Sequence, residues 1–355
     1  MSTPVANAAD TRNAAAPPAK RRKRVRAAIV FALALMILVP FVSCVDQGQI
    51  PMSRWLKQQD AVTYVQMACP DRGKGCTLST RVTLAPDTSA QEAASIVDGA
   101  LEKAIQDRHV TANSFHISLK WQYHSTQLHY DGPLVAPRSP EDGFSNRMLA
   151  PQARAQRLEA LRTATDITAD DIDQVTVSDR SIEVERGEVH TIPTSLLATR
   201  TFSDNLETMT LTDTFTLRGW RIKTISDTEA PPPSEAVNSL IRNTVEVSLP
   251  DGTNPLLELD TTEYSLIKNS EPRIKVWFLP KDDDDDLEIQ SAAAVLATIE
   301  GTPYFADVEL CAEHEYGSKT PLSCVSYEIE NGRIGHSSRY PKERAQEIYD
   351  AAQQL

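Results

Sequence analysis

The sequence predicts an α+β fold of two small modules, each a mainly antiparallel sheet with helices on one face, following an N-terminal apolar membrane segment. Three observations predict it. A basic stretch leads directly into an uncharged apolar run. Beyond it, segments with a two-residue apolar period alternate with segments of helical period. A strand–Pro–acid-capped helix–strand pattern then occurs twice, on either side of a proline cluster at Pro231-Pro232-Pro233.

The lead comes first. Residues 1–19 are rich in Ala, Pro, Asn and Thr and show no apolar period, and with Lys20-Arg21-Arg22-Lys23-Arg24-Val25-Arg26 they make residues 1–26 read as a disordered basic cytoplasmic lead. Residues 27–44 follow as the signal or membrane segment, close to the roughly 20 apolar residues that span a bilayer. The positive flank stays in the cytoplasm, which puts the rest of the chain outside. The charge balance agrees. Of 36 Lys and Arg, seven lie in residues 1–43 beside one acid, Asp10, and the remainder of the chain carries a net charge of about −19. So acidic a body repels phosphate backbones, and nucleic acid is not expected as a partner.

The apolar run ends Phe41-Val42-Ser43-Cys44. Val42, Ser43 and Cys44 resemble the lipobox of bacterial lipoproteins, in which a small residue precedes the cysteine that is acylated and becomes the new N-terminus. Phe41 stands where that pattern usually has Leu. The resemblance covers four residues and implies lipidation at Cys44. An uncleaved helical anchor and full release after cleavage are the alternatives. All three place the body outside, and the first two hold it at the outer face of a bacterial cell membrane.

The remaining cysteines form two close pairs. Cys69 and Cys76 enclose a turn composition, Pro-Asp-Arg-Gly-Lys-Gly, and Cys311 and Cys324 enclose a polar loop with Gly317 and Pro321. In an oxidising compartment each pair is expected to close locally, contributing roughly 2.5 and 3 kcal/mol by loop entropy. Neither has the two-residue spacing of a zinc knuckle.

The body then divides. Residues 45–58 read as a tether. Residues 59–227 form the first module, 228–234 a Pro-rich linker and 235–355 the second. In the first module Thr63–Cys69 and Thr77–Ala85 read as strands. Ser89 and Glu92 form a capping box, and Ala93, Ile96, Val97, Ala100, Leu101, Ala104 and Ile105 make one helical face. Phe115, Ile117, Leu119, Trp121 and Tyr123 alternate with polar residues as a half-buried strand. A Pro-rich loop from Asp131 to Gly143 precedes a helix from Pro151 to Thr165. Strands follow at 175–177, at 182–184 and at 209–217, the last with a threonine face. In the second module the strands are 273–280, 304–311 and 324–329, and the helices 235–243, 287–298 and one from Pro341. A ferredoxin-like split βαβ arrangement is the expected template for each module.

Candidate chemistry is sparse. Asp282, Asp284 and Asp286 of the run Asp282–Asp286 are weak candidates for a divalent cation, but adjacent side chains diverge and acids before a helix complement its dipole. Ser265-Leu-Ile-Lys268 and Ser203-Asp204-Asn205 match fragments of penicillin-recognising serine enzymes in the wrong order, and Lys319-Thr320-Pro321 has Pro where the third element needs Gly. His314-Glu315 starts a zinc motif that Ser318 ends. Gly73-Lys-Gly75 lacks the third glycine of a dinucleotide fingerprint. His116 and His124, on one strand face, lie too far apart to share a metal, and His129 follows them. No cofactor is expected. The functional expectation is a membrane-anchored, non-catalytic envelope protein that binds a partner protein, a wall polymer or an envelope ligand. The alternative is an extracytoplasmic hydrolase without a recognisable motif.

Overall fold

The computed structural model describes residues 48–69, 76–136, 143–193, 209–227, 234–262, 272–278, 288–301, 304–312, 323–335 and 342–355. The first described element is not extended tether but helix α1 (Gln49–Leu56), whose Met52 and Leu56 are fully buried. Strands β1 (Val62–Ala68) and β2 (Thr77–Leu84) pair antiparallel, and Cys69 and Cys76 close a disulfide between them. Helix α2 (Ala90–Gln106) begins with the expected capping box. The Ser89 hydroxyl accepts from the Glu92 amide, and the Glu92 carboxylate accepts from Ser89. Those hydrogen bonds hold Glu92 below the usual carboxylate range.

Helix α2 crosses to β3 (Ser114–Tyr123), which lies parallel to β2. A tight turn leads into β4 (Thr126–Asp131), and α3 (Gly143–Arg147) and α4 (Pro151–Asp166) then cross to β5 (Gln174–Val177), parallel to β4. The unit repeats through β6 (Ser181–Glu188), β7 (Thr210–Leu217), β8 (Trp220–Asp227), α5 (Ser234–Thr244) and β9 (Leu256–Asp260). It continues through β10 (Arg273–Trp277), α6 (Ile289–Ile299), β11 (Asp307–Ala312), β12 (Ser323–Glu330), β13 (Arg333–Ile334) and α7 (Lys342–Ala352).

All thirteen strands form one mixed sheet in chain order, β1 to β13. This overturns the expectation of two small modules. The strands on either side of the proline cluster, β8 and β9, are parallel neighbours with Lys223 opposite Glu258. Residues 228–233 therefore connect a strand to a crossover helix within a single sheet. The two similar patterns, β2–α2–β3 and β10–α6–β11, are repeats of one unit within a single sheet rather than separate folds. The ferredoxin-like template fails for a related reason. In that template the second crossover runs back across the first, which keeps both right-handed over one face. Here each hairpin reverses strand direction while the sheet keeps advancing. With the helices on one face, successive crossovers must wind in opposite senses, against the strong right-handed preference.

The same face is buried across the whole sheet. Val82, Leu119, Tyr130, Val177 and Ile182 follow one another through the cross-strand register, as do Ile222, Leu257, Val276, Leu310 and Val325 farther on. The apolar packing over this face divides into two clusters inside β7, between Leu211 and Phe215. Asp213 sits at the division, 8% exposed, and its Oδ1 accepts from the Arg186 Nε at 3.1 Å. Burial raises the Asp213 carboxyl above its ordinary range against the pull of Arg186. The sheet is thus continuous where the core is not.

Among the described residues no helix is long and apolar enough to cross a membrane. The apolar run 27–44 lies outside them.

Candidate binding surface

Among the described residues the helices cover one side of the sheet and none lies on the other. Along each strand the residues alternate with the buried ones, so this face is written mostly in Thr, Ser, Gln, His and charged side chains, with Ile225, Leu256, Trp277 and the Cys311–Cys324 cystine among them. The threonines expected to line one face of the 209–217 strand do so: Thr210, Thr212, Thr214 and Thr216 point away from the core. Register then joins single-strand patterns into rows. One row runs Lys120, His129, Thr176, Glu183, Thr212 across β3 to β7. Another runs Glu185, Thr214, Lys223, Glu258, Lys275, Glu309 across β6 to β11. At about 4.8 Å per strand, β2 to β12 spans roughly 50 Å.

The charges in these rows alternate in sign and pair. Lys223 lies 2.9 Å from Glu258, Lys275 3.2 Å from Glu309 and Arg221 3.6 Å from Glu185. Exposed pairs of this kind each contribute only about 0–1 kcal/mol. Their main effect is on the surface itself: the face is polar yet locally neutral. The Lys275 ammonium also lies 5.6 Å from the Trp277 ring centroid. The Trp277 Nε1 and His129 Nε2 atoms are enclosed without a hydrogen-bond partner. Burial, then the neighbouring Lys120, lowers the His129 pKa.

At one side of the face opens a cleft of about 480 Å³, bounded by Asp131, the start of α4 and the β5–β6 turn at Ser178-Asp179-Arg180. Its carboxylates are already engaged. Asp179 accepts from Arg157 at 3.1 Å and from the Tyr130 hydroxyl. Arg157 is fully buried, donates also to Asp98 of α2, and lies 3.1 Å from the Tyr130 oxygen. Burial works to lower the Arg157 pKa, but Tyr130, Asp179 and Asp98 together raise it, so it stays charged. Burial likewise raises the Asp98 carboxyl and, more strongly, the Tyr130 phenol. Asp131 contacts the His116 Nε2 at 2.9 Å. This is a histidine–carboxylate pair beside a cleft, but among the described residues no hydroxyl or thiol is hydrogen-bonded to His116.

Both expected disulfides are present. Cys311 and Cys324 are directly opposed across β11 and β12, and Cys69–Cys76 closes the β1–β2 turn. Glu309 approaches the second pair, but oxidised sulfurs are poor metal ligands, so the three do not make a metal site. His116 and His124 are separated as expected, with His124 3.6 Å from Asp87 at the hairpin. Cys44, Asp282, Asp284, Asp286, Ser265, Lys268, Ser203, His314, Gly73 and Lys319 all lie outside the described residues.

The Arg157 cluster and the cross-strand rows escaped the sequence. Arg157 sits in a helix of weak apolar character, and rows appear only when register is known. Two hairpins, by contrast, carried a legible signal: Arg218-Gly219 and Asn331-Gly332 both adopt two successive positive φ values, the two-residue turn that Asn-Gly favours.

No family model matches the chain, and no curated protein or solved structure matches it.

Proposed function

We propose that this is a membrane-anchored envelope protein that acts outside the cell membrane by binding, and that the open polar face of the sheet is what it presents to its partner. The observation that carries the proposal is the largely polar face, about 50 Å long, crossed at β9 to β12 by one apolar row (Leu256, Trp277 and the Cys311–Cys324 cystine) and left by helices that, among the described residues, lie on the other side. The neutral pairing of its charges suits a hydrogen-bonding protein surface or wall polymer better than a strongly charged ligand. Two cystines fit an oxidising compartment, and the basic stretch before the apolar run fits an outward-facing body.

Photoreactive residues at Thr176, Glu183 and Thr212 test this in intact cells. They should give discrete adducts that the same probe at Gln346 on the helix side does not. Adducts confined to the helix side would overturn it. The anchor has its own test. An acylated N-terminus at Cys44 supports the lipoprotein version, and retention of Lys20–Arg26 in the membrane form supports the uncleaved helix.

Among the described residues the His116–Asp131 pair is the feature that favours a hydrolase. Turnover of ester, peptide or glycoside substrates that is lost in His116→Gln would replace the binding proposal.

A further inference from the structure

The two edges of the sheet are treated differently. At one end, β13 is a two-residue strand carrying Arg333, a short charged edge of the kind that discourages further pairing. At the other, β1 has seven residues, Val-Thr-Tyr-Val-Gln-Met-Ala, with neither charge nor proline. Among the described residues, its only strand neighbour is β2. Its outer backbone groups are a template for another strand. A register shift between Val62 and Tyr64 marks its start, leaving Tyr64–Ala68 regularly paired with β2.

Beside this edge, α1 forms the wall of a shallow groove of about 580 Å³, with Val65 and Met67 of β1 facing Ile50, Arg54 and Lys57 of the helix. Ile50 is 50% exposed and Tyr64 60%, two of the four large hydrophobic side chains exposed among the described residues. A strand added to β1 would lay one row of side chains in the groove and the other beside Tyr64 at the margin of the open face.

We infer that β1 and α1 form a docking site for an extended segment of a partner protein whose groove-facing row of side chains carries both apolar and acidic residues. Backbone pairing to β1 supplies affinity without sequence preference, and the groove supplies selection. Apolar side chains meet Ile50, Val65 and Met67, and carboxylates meet Arg54 and Lys57. A second copy of the chain fits poorly. Antiparallel pairing of two β1 strands keeps both α1 helices on the same face and sets Arg54 and Lys57 of each against those of the other. The inference rests on the protein acting by binding, but not on the open face being the surface used.

The test uses the exported body and a fluorescein-labelled ten-residue Glu–Val peptide in which every second residue is Thr and the positions between are Val and Glu in turn, with a Lys–Val peptide of the same pattern as control. The Glu–Val peptide should bind saturably, and its binding should slow amide exchange across Tyr64–Ala68. Arg54→Glu/Lys57→Glu should weaken it at least tenfold without altering thermal unfolding. Tyr64→Lys, a second variant that leaves the groove intact, should weaken it as well. Equal binding of both peptides, no binding, or binding indifferent to the charge reversal would overturn the inference. So would concentration-dependent dimerisation that protects β1 without peptide, which would make a second copy the occupant. Loss of peptide binding while the Thr212 adducts persist would remove this site alone.

Discussion

Replacing Arg157 with Met should destabilise the body by about 4 kcal/mol. The guanidinium is fully buried and joins four elements: α4 through its own backbone, α2 through Asp98, β4 through Tyr130 and the β5–β6 turn through Asp179. Met keeps most of the volume, so little of the loss comes from a cavity. The cost is the pair of carboxylates left without a cation in a site that already disfavours charge, as the raised Asp98 shows. Breaking one side of a buried ion pair costs roughly 3–5 kcal/mol. At roughly 2–4 °C per kcal/mol for a large domain, the midpoint should fall by about 10 °C. Urea denaturation with an unchanged m-value measures the free energy directly. Arg157→Met/Asp98→Asn/Asp179→Asn should recover at least half of it. The orphaned charges are then gone, and the amide oxygen introduced in place of the Asp179 carboxylate can still accept from Tyr130. A loss below about 1 kcal/mol, or a triple variant no better than the single one, would refute the reasoning.

Three further outcomes follow from local features. Ser89→Ala removes the hydroxyl that caps α2 and should cost about 1 kcal/mol by urea denaturation. Gly99→Ala places a methyl carbon 2.6 Å from the Trp55 ring, which should displace the indole, cost about 1–3 kcal/mol and red-shift its fluorescence as α1 loosens from α2. His129 has a folded pKa below 6.5, so the unfolded chain takes up its proton first. Stability should therefore fall as pH drops through 6.5 and level off once the folded ring titrates, and His129→Gln should flatten that arm of a stability–pH curve. Asp98 and Asp213, raised above 3.8 by burial, act in the opposite sense: their cost at neutral pH is relieved as pH falls through their raised values.

What was legible in the sequence was local. The α2 capping box, its apolar stripe, the alternation of β3 and the closeness of each cysteine pair are set by residues within a turn or two of one another, and all appear as expected. Strands β4, β8 and β9 passed unnoticed because β4 and β9 are short and all three are half polar. Gln127-Leu128-His129-Tyr130 is a strand only because β3 and β5 flank it. Long-range order was the larger loss. The strand–helix–strand pattern was visible twice, but its periodicity does not tell successive units of one sheet from two sheets. The preference for right-handed crossovers pointed to the wrong choice. The open face was visible one strand at a time, as in the threonines of β7. Its rows required register. The β1 groove could not be seen at all while residues 45–58 read as a tether, since Arg54 and Lys57 gain meaning only once α1 packs beside β1.

The continuity of the sheet across residues 228–233 underlies the open face, and cutting the chain there tests it most directly. A protease site placed between Asp227 and Ser234 should be cleaved completely while the two fragments remain together in gel filtration, held by the β8–β9 pairing from Arg221 and Leu256 to Ile225 and Asp260. They should separate only in denaturant. Two fragments that elute apart without denaturant, each still folded by circular dichroism, would show two independent modules and contradict the single sheet.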